Sequence, residues 1–296
     1  MAKRIAQAAQ MACLLEVSAL KPGNVNRLYD FSDLYFEDFM LSAIAIGSAM
    51  ENASKSSVGQ IIYRAIQDTH LLVTTNTNLG IVLLLAPLAK ACSFGPGAYR
   101  PVKPVVDSLA RVRENLTATL AGLTVEDARL AYAAIRMVNA GGLGKVSQSD
   151  ISEEPSITLL KAMALAQGND SIAREYMSCF AITFEIGYPA LKEALGVCND
   201  LSTAIVQAYL VILSRVPDTL IARKTGMEKA IQVSHRAEEV LEKGGTLTPE
   251  GWKAIAELDR ELRGEKHTLN PGTTADLTAA SIFLYLYEKY SRKPLF

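Results

Sequence analysis

The sequence lacks a hydrophobic run long enough to cross a membrane. Its longest apolar stretch, 79–89, contains Pro87 and falls well short of the about 20 residues that a membrane-spanning helix needs. Polar residues such as Gln7 and Glu16 interrupt the amino-terminal segment, and no small-residue cleavage site follows it. This pattern predicts an amphipathic first helix rather than a signal peptide, and a cytoplasmic protein that does not bind membranes.

The sequence also lacks an excess of charge of either sign. Its 30 basic and 31 acidic residues give a formal net charge of -1. No broad positive field is therefore available to hold a nucleic acid or an anionic membrane surface. We expect small molecules as partners, and any anion among them must be bound by local groups.

Several catalytic motifs are missing. The four cysteines form no CxxC pair and have no zinc-site spacing, which predicts reduced thiols in the core. No GxSxG element supports a serine nucleophile, and no aspartate-rich DDxxD-like segment is present for prenyl-type diphosphate chemistry. The glycine-rich stretch 141–144 is followed by Lys145 without the Ser or Thr of a phosphate-binding P-loop.

Helical periodicity is present along almost the whole chain. Apolar residues recur at helical spacing, as in Ile5, Ala8, Ala12 and Leu15, and no segment shows a convincing two-residue alternation. Helix start signals accompany the pattern, for example at Thr124. With 49% hydrophobic residues, the chain predicts one all-α domain over 1–296 with about a dozen helices. Turn-rich breaks are expected at 21–33, 92–104, 140–155 and 243–249.

Four polar clusters each lead from a loop into an apolar helix. They are KPGNVNR (21–27), TTNTN (74–78), PDTLIARK (217–224) and NPGTTAD (270–276). A single Ser, Thr, Asp or Asn is enough to cap a helix, so each cluster has more polar groups than capping requires. Unpaired N–H groups and the positive dipole end of a helix bind anions. We therefore expect a ligand site where these helix N-termini converge.

The clusters and their neighbours supply three kinds of candidate residue. The cations can neutralise phosphates, the carboxylates can bind magnesium or act as a general base, and the amides and hydroxyls can hydrogen-bond a ligand. For Arg223 and Lys224 a solvated helix end is an equal alternative, as is a surface carboxylate for Glu16 and Asp38. The candidates are Lys21, Arg27, Arg223 and Lys224; Glu16, Asp38, Asp218 and Asp276; and Asn24, Asn26, Asn76, Thr77, Asn78, Asn270, Gly272, Thr273 and Thr274.

In order along the chain, EVSALKPGNVNR, FEDFMLSAIAI, NTNLGIVLLLAPLA, DTLIARK and NPGTTADLTAASIFLYL resemble the triphosphoribosyl-dephospho-CoA synthase family. Members of this family have a Lys-Pro-Gly loop, an Asn-Thr segment before an apolar helix and a C-terminal Asn-Pro-Gly. The resemblance implies an all-helical enzyme that takes ATP and 3'-dephospho-CoA. Such an enzyme releases adenine and joins the triphosphoribosyl group to the ribose 2'-hydroxyl of the acceptor. The product is a precursor of the prosthetic group of citrate or malonate decarboxylating systems.

This resemblance gives the candidate residues expected roles. Lys21, Arg223 and Lys224, with Mg²⁺ on two or more of the four carboxylates, would hold the triphosphate, and one carboxylate would remain as the base. Substitution at the anomeric carbon is expected to pass through an oxocarbenium-like state. Ribose hydroxyls or phosphate oxygens would be hydrogen-bonded by five of the amide and hydroxyl residues: Asn24, Asn76, Asn78, Asn270 and Thr273.

The sequence also departs from the family pattern. Better-known members read approximately Asn-Thr-His-Lys-Gly where this chain has Asn-Thr-Asn-Leu-Gly at 76–80, and the Asn-Val-Asn-Arg of 24–27 is not typical of them. Two alternatives therefore stay open: a related ribosyl or phosphoribosyl transfer to a different acceptor in coenzyme biosynthesis, and a non-catalytic helical binding protein. Helical enzymes of this size often form dimers, but no surface stripe in the sequence indicates a homodimer interface.

Overall fold

The computed structural model describes residues 1–94, 108–138, 154–264 and 267–291, and this part of the chain is helical. The described residues contain no strand, only an isolated bridge between Asn26 and Tyr29, so the predicted all-α class is confirmed. The α-helices are α1 Ala2–Ser18, α2 Phe36–Ala45, α3 Gly47–Glu51, α4 Val58–His70, α5 Leu79–Ser93, α6 Ser108–Ala121, α7 Val125–Met137, α8 Leu159–Ala166, α9 Ser171–Ser178, α10 Tyr188–Cys198, α11 Leu201–Arg215, α12 Thr219–Thr225, α13 Met227–Glu242, α14 Pro249–Leu262 and α15 Gly272–Ser291.

The helices are more numerous than expected because some are short and follow each other at bends. Only Ile46 separates α2 from α3, and a π-helix, Ile182–Gly187, connects the segment after α9 to α10. A 3₁₀ turn, Gly245–Leu247, precedes α14. The predicted turn segments 92–104 and 140–155 lie mostly outside the described residues.

Helix α15 is the centre of the core. Leu277, Ala280, Ile282 and Phe283 are at most 1% exposed, and the helix packs against α1, α5 and α11. Apolar side chains from α1 to α15 form one large hydrophobic cluster. Because α15 contacts both the first helix and helices from the middle of the chain, its first turn is held in a fixed position.

Local capping follows the sequence signals. Thr124 and Asp127 form a capping box at α7, and Thr248 accepts a hydrogen bond from the Gly251 N–H at the start of α14. Asp127 also accepts a bond of 2.7 Å from the Gly59 N–H, which links α7 to α4. The cap therefore also contributes to packing between helices.

The cysteines and the apolar helices agree with a core role. All four cysteines are free; Cys13 and Cys92 are buried as predicted, whereas Cys179 and Cys198 are only partly buried. No single helix among the described residues has the length and apolar character of a membrane span, although α11 and α12 meet both criteria when taken as a pair bent by 54°.

Candidate active site

A cleft of about 780 Å³ lies where the N-termini of α5, α9, α12 and α15 converge. The clusters at 74–78, 217–224 and 270–276 precede α5, α12 and α15 as predicted, whereas 21–27 continues as a loop rather than entering a helix, and α9 was not predicted. The polar lining of the cleft comes from both ends of the chain. The predicted residues that line it are Glu16, Asn24, Asn76, Thr77, Asn78, Arg223, Asn270, Gly272, Thr273 and Asp276.

The junction of α12 with α15 is built on Asp218, which is 1% exposed. Its Oδ1 accepts hydrogen bonds from the Leu220 and Ile221 N–H groups and caps α12. Its Oδ2 accepts bonds of 2.7 and 2.8 Å from the N–H and hydroxyl of Thr274 at the start of α15. Burial raises the pKa of the Asp218 carboxyl, and these hydrogen bonds oppose the rise. Both oxygens thus serve to hold two helix N-termini together.

Hydroxyl groups extend this junction to α9. The Ser171 N–H donates to Thr219 Oγ1, which in turn donates to Thr273 Oγ1 over 3.2 Å. Thr219 and Thr273 are both buried. The first turns of α9, α12 and α15 are therefore connected directly, and Thr273 is presented to the cleft.

The junction of α5 with α15 is different. The Asp276 carboxylate lies against Gly80, where a Cβ would come within 2.0 Å of Asp276 Oδ2. It lines the cleft and accepts no hydrogen bond from any described residue. Burial, followed by the charges of Glu16 and Asp218, raises the pKa of this carboxyl well above its usual range.

Glu16 is paired with a cation. Lys21 is fully buried, and its Nζ lies 2.9 Å from Glu16 Oε1; it also donates to the Glu16 carbonyl. Burial raises the pKa of the Glu16 carboxyl, and the Lys21 ammonium opposes this. Lys21 itself does not line the cleft, so within the described structure it acts on the site through Glu16.

Arg223 has a partner that sequence analysis missed. Its Nη1 lies 2.8 Å from Asp170 Oδ2, and the two side chains are 26% and 19% exposed. Asp170 Oδ1 caps α9 through the Ile172 and Ala173 N–H groups, and both charged residues line the cleft. The sequence signal was an Asp before a short helix, but its pairing with a residue 53 positions away is not visible locally.

The polar residues before α5 have separate tasks. Asn76 Oδ1 accepts the Leu79 N–H and caps the helix. Thr77 Oγ1 is 2.5 Å from Ser42 Oγ, and Asn78 Nδ2 donates to Thr69 Oγ1 over 3.1 Å. The cluster therefore anchors the start of α5 to α2 and α4 while forming one wall of the cleft.

Some polar groups at the cleft remain unpaired among the described residues. The N–H groups of Gly80, Ile81 and Thr273 have no hydrogen-bond partner there, and Asn270 Oδ1 is buried without one. Orphan N–H groups at helix starts are where anionic oxygens bind. The cleft is therefore equipped for a ligand rich in oxygen atoms.

The Lys-Pro-Gly loop is held in place by α14. Gly23 has φ +76° and its N–H donates to Asp259 Oδ1; an added Cβ would lie 2.8 Å from Leu262 Cβ. Asn24 faces the cleft and its Nδ2 donates to the Tyr209 hydroxyl. The positive φ and the close approach explain why glycine is required at this turn.

Other predicted residues lie outside the cleft lining. Asn26 is buried and bonds within its own loop. Arg27 is exposed, and its charge acts on Asp200. Lys224 Nζ donates to the His267 carbonyl. Thr274 is occupied by Asp218 as described above, and Asp38 Oδ2 accepts the Tyr35 N–H in the capping box of α2.

The positions of the four predicted carboxylates decide whether they could hold a metal ion. Magnesium is usually bound by one or two carboxylates together with substrate phosphates and water. No three His, Cys, Asp or Glu residues are grouped for a metal within the described ranges. The oxygens of Asp218 are occupied by helix N–H groups, Asp38 lies outside the cleft and Glu16 is paired with Lys21. The donor set therefore does not fit a resident ion held by the four predicted carboxylates.

The apolar side of the cleft was also missed. It is formed largely by α7, α8 and the loop after α1, whose apolar residues looked like ordinary core positions in the sequence. Phe31 stacks on His267 with ring centroids 3.7 Å apart. The apolar lining includes Val17, Val25, Phe31, Leu34, Phe39, Tyr132, Ile135, Leu159, Ala162, Met163 and Leu165.

Comparisons with known proteins agree with the sequence resemblance. The CitG family model, described as ATP:dephospho-CoA triphosphoribosyl transferase, matches residues 2–295. A probable 2-(5''-triphosphoribosyl)-3'-dephosphocoenzyme-A synthase of Pseudomonas savastanoi pv. phaseolicola is 24% identical over 82% of this chain and 90% of its own. One of the same name from Pseudomonas fluorescens is 33% identical over 124 residues, 41% of each chain.

A solved structure shows the same relationship. The crystal structure of an Archaeoglobus fulgidus protein assigned as a triphosphoribosyl-dephospho-CoA synthase superposes with a TM-score of 0.62 at 30% identity, covering 84% of this chain and 98% of that one. The predicted transferase class and all-α fold are thus confirmed. The chain belongs to the ATP:dephospho-CoA triphosphoribosyl transferase family.

Proposed function

We propose that the protein transfers the triphosphoribosyl group of ATP to the ribose 2'-hydroxyl of 3'-dephospho-CoA and releases adenine. Family membership gives the reaction, and the cleft supports it. The observation that carries the proposal is the meeting of four helix N-termini around one cleft that contains orphan N–H groups and an unpartnered carboxylate. Its volume of about 780 Å³ is within the range of small-molecule sites, about 300–1,000 Å³.

The two sides of the cleft suit different parts of the substrates. The N–H groups of Gly80, Ile81 and Thr273 and the side chain of Asn270 would hydrogen-bond phosphate and ribose oxygens. The apolar wall formed by α7 and α8 would contact purine rings and the less polar part of the acceptor. The lining runs from Glu16 to Asp276, so we propose that residues 1–296 act as one catalytic domain.

Charge explains how ATP would bind. The described lining residues carry one cation, Arg223, and it is paired with Asp170. Glu16 is already neutralised by Lys21, which leaves no excess positive charge for a triphosphate. We propose that ATP enters with Mg²⁺ as the counter-ion of its own phosphates, while Arg223 contacts a phosphate oxygen.

Adenine release tests the activity. The folded protein is incubated with ATP, Mg²⁺ and dephospho-CoA, and both adenine and the triphosphoribosylated product are followed by chromatography and mass spectrometry. Release that requires dephospho-CoA is the expected result. A folded protein that releases no adenine under these conditions contradicts the proposal.

A matched pair of arginine variants tests the site. Loss of a charged hydrogen bond costs about 1.5–3 kcal/mol, so Arg223→Gln is expected to raise the KM for ATP about tenfold to a hundredfold. Arg215, which is exposed at the end of α11, provides the control variant Arg215→Gln with an unchanged KM. Equal KM values for the two variants would place the triphosphate elsewhere.

Transfer of the ribosyl group to a different acceptor is the second candidate function. Where better-known members have a basic pair, this chain has Asn78 and Leu79, and both are buried. The wall therefore lacks two cations that could contact a phosphorylated acceptor. Adenine release only with another nucleotide or a pterin-like acceptor would select this function over the first.

Two further expectations accompany the activity. We propose that the enzyme acts in the cytoplasm, where it meets ATP and dephospho-CoA, and that it can form a homodimer. Cell fractionation and analytical ultracentrifugation measure these two properties directly.

A further inference from the structure

The acidic residues around the cleft differ in what occupies their oxygens. Asp218 accepts four hydrogen bonds from helix N–H and hydroxyl groups. Glu16 is in an ion pair with Lys21. Asp170 caps α9 with one oxygen and holds Arg223 with the other. Each of these three carboxylates already has a structural partner.

Asp276 has no such partner among the described residues, although it is only partly exposed and its burial makes an unpaired charge costly. It lines the cleft at the first turn of α15, a position fixed by the bonds from Thr274 to Asp218. The facing position is Gly80, and any side chain there would occupy the space of the carboxylate. The site therefore keeps an unsatisfied carboxylate and provides room for it.

We propose that Asp276 is the general base of the reaction, the group that takes the proton from the attacking hydroxyl of the acceptor. This inference rests on the proposed function. The acceptor oxygen forms a bond to the anomeric carbon of the ATP ribose as the bond from that carbon to the adenine nitrogen breaks. The bonding pair leaves with adenine. The hydroxyl proton passes to an Asp276 oxygen and then, directly or through water, to adenine, so that neutral adenine departs and the carboxylate is restored.

The surroundings of Asp276 suit this role. Glu16 on α1, Asp218 before α12 and Asp170 before α9 all raise the pKa of its carboxyl in addition to burial, while Arg223 on α12 opposes them. Cys13 on α1 also faces it and stays a neutral thiol, because burial raises its pKa. A base works best when its pKa is close to the working pH, and an ordinary Asp is too weak for that.

The test compares Asp276→Asn with the wild-type enzyme under saturating ATP, Mg²⁺ and dephospho-CoA. We expect kcat to fall about 10²- to 10⁴-fold, with little change in the KM for ATP or in the Mg²⁺ concentration for half-maximal rate. In the wild type, kcat/KM should rise with pH through a pKa above that of a free Asp, and this limb should disappear in the variant. Asp200 is the exposed N-cap residue of α11. Asp200→Asn is therefore the matched control, with unchanged kcat.

Two further variants separate a base from a structural role. Gly80→Ala forces the carboxylate away from its place and should lower kcat while the protein stays folded by circular dichroism. In Asp276→Gly, added formate should restore part of the rate, since a small carboxylate can occupy the vacated space. A merely structural residue would not be rescued in this way.

The outcomes distinguish failure of the proposed function from failure of the assignment of Asp276 as the base. If the wild-type enzyme releases no adenine, the proposed function fails. If it does and Asp276→Asn retains its kcat, or if the variant recovers fully at high Mg²⁺, Asp276 is not the base, and the second result would identify it as a metal ligand. Loss of kcat without formate rescue and with an unchanged pH profile would also overturn the inference.

Discussion

The two helix junctions on either side of the first turn of α15 both contain an aspartate, and they use it in opposite ways. At the α12–α15 junction, Asp218 is surrounded by donors that it satisfies. At the α5–α15 junction, Asp276 faces a glycine and no described donor. A satisfied buried carboxylate stabilises the fold, whereas an unsatisfied one lowers stability and is retained for function.

The Glu16–Lys21 pair represents a third arrangement and gives the largest expected effect. Lys21→Met leaves Glu16 buried without a counter-ion and should lower the free energy of unfolding by about 3–5 kcal/mol. In urea unfolding, the double variant Lys21→Met with Glu16→Leu should recover most of this loss. A double variant as unstable as the single one would show that the pair is not the source of the effect.

The comparison of Asp218 with Asp276 can be tested with matched alanine variants. Asp218→Ala removes a helix cap and leaves the buried Thr274 N–H unpaired, so we expect a loss of about 2–4 kcal/mol. Asp276→Ala should be at least as stable as the wild type, because it removes a carboxylate without donors. Urea unfolding of the two variants measures both values, and equal losses would break the distinction between the junctions.

The pH dependence of stability sharpens the same comparison. Burial raises the folded-state pKa of Asp276 well above the ordinary value of 3.8, so the folded protein binds more protons at this group than the unfolded chain. Wild-type stability should therefore fall relative to Asp276→Asn as the pH rises above about 4, by up to about 1.4 kcal/mol per pH unit until the folded pKa is passed. Acids that do not interact with Asp276 cancel in the difference between the two proteins, and the coupled acids Glu16, Asp218 and Asp170 contribute to it through their charge on Asp276. A difference that does not change with pH would contradict the expected environment of Asp276.

The smallest expected effect concerns one hydroxyl at the α12–α15 junction. Thr274→Val removes the hydroxyl donor to Asp218 but keeps the backbone bond, and should cost about 1 kcal/mol. Thr278→Val is the matched control, because that hydroxyl only bonds back to the Thr274 carbonyl within α15. Thermal unfolding of the two variants should show the larger shift for Thr274→Val.

Local signals in the sequence predicted the helices well. Helical periodicity, the cap at Thr124 and the turn-rich segment 21–33 all depend on residues close together in the chain, and the structure contains them. The convergence of the starts of α5, α12 and α15 could also be predicted, since the polar cluster before each had more groups than a cap needs; the start of α9 was not predicted, and the cluster at 21–27 is in a loop.

Partners distant in the sequence could not be predicted. Asp38 and Arg27 have the charges of ligand-binding residues, but Asp38 caps its own helix and Arg27 is exposed outside the cleft. Asp170 was missed because its partner Arg223 lies in another helix. The apolar wall was missed because its residues have the same spacing as core residues, and only the three-dimensional structure shows that they face a cleft.

The packing of α15 against α1 has a consequence for how the enzyme is made. Residues that line the cleft come from α1 and from α15, so a nascent chain has no complete substrate pocket until α15 has left the ribosome and docked. Nucleotide affinity should therefore arise only after α15 has docked, and ATP should protect the folded protein from proteolysis without affecting chains that lack α15.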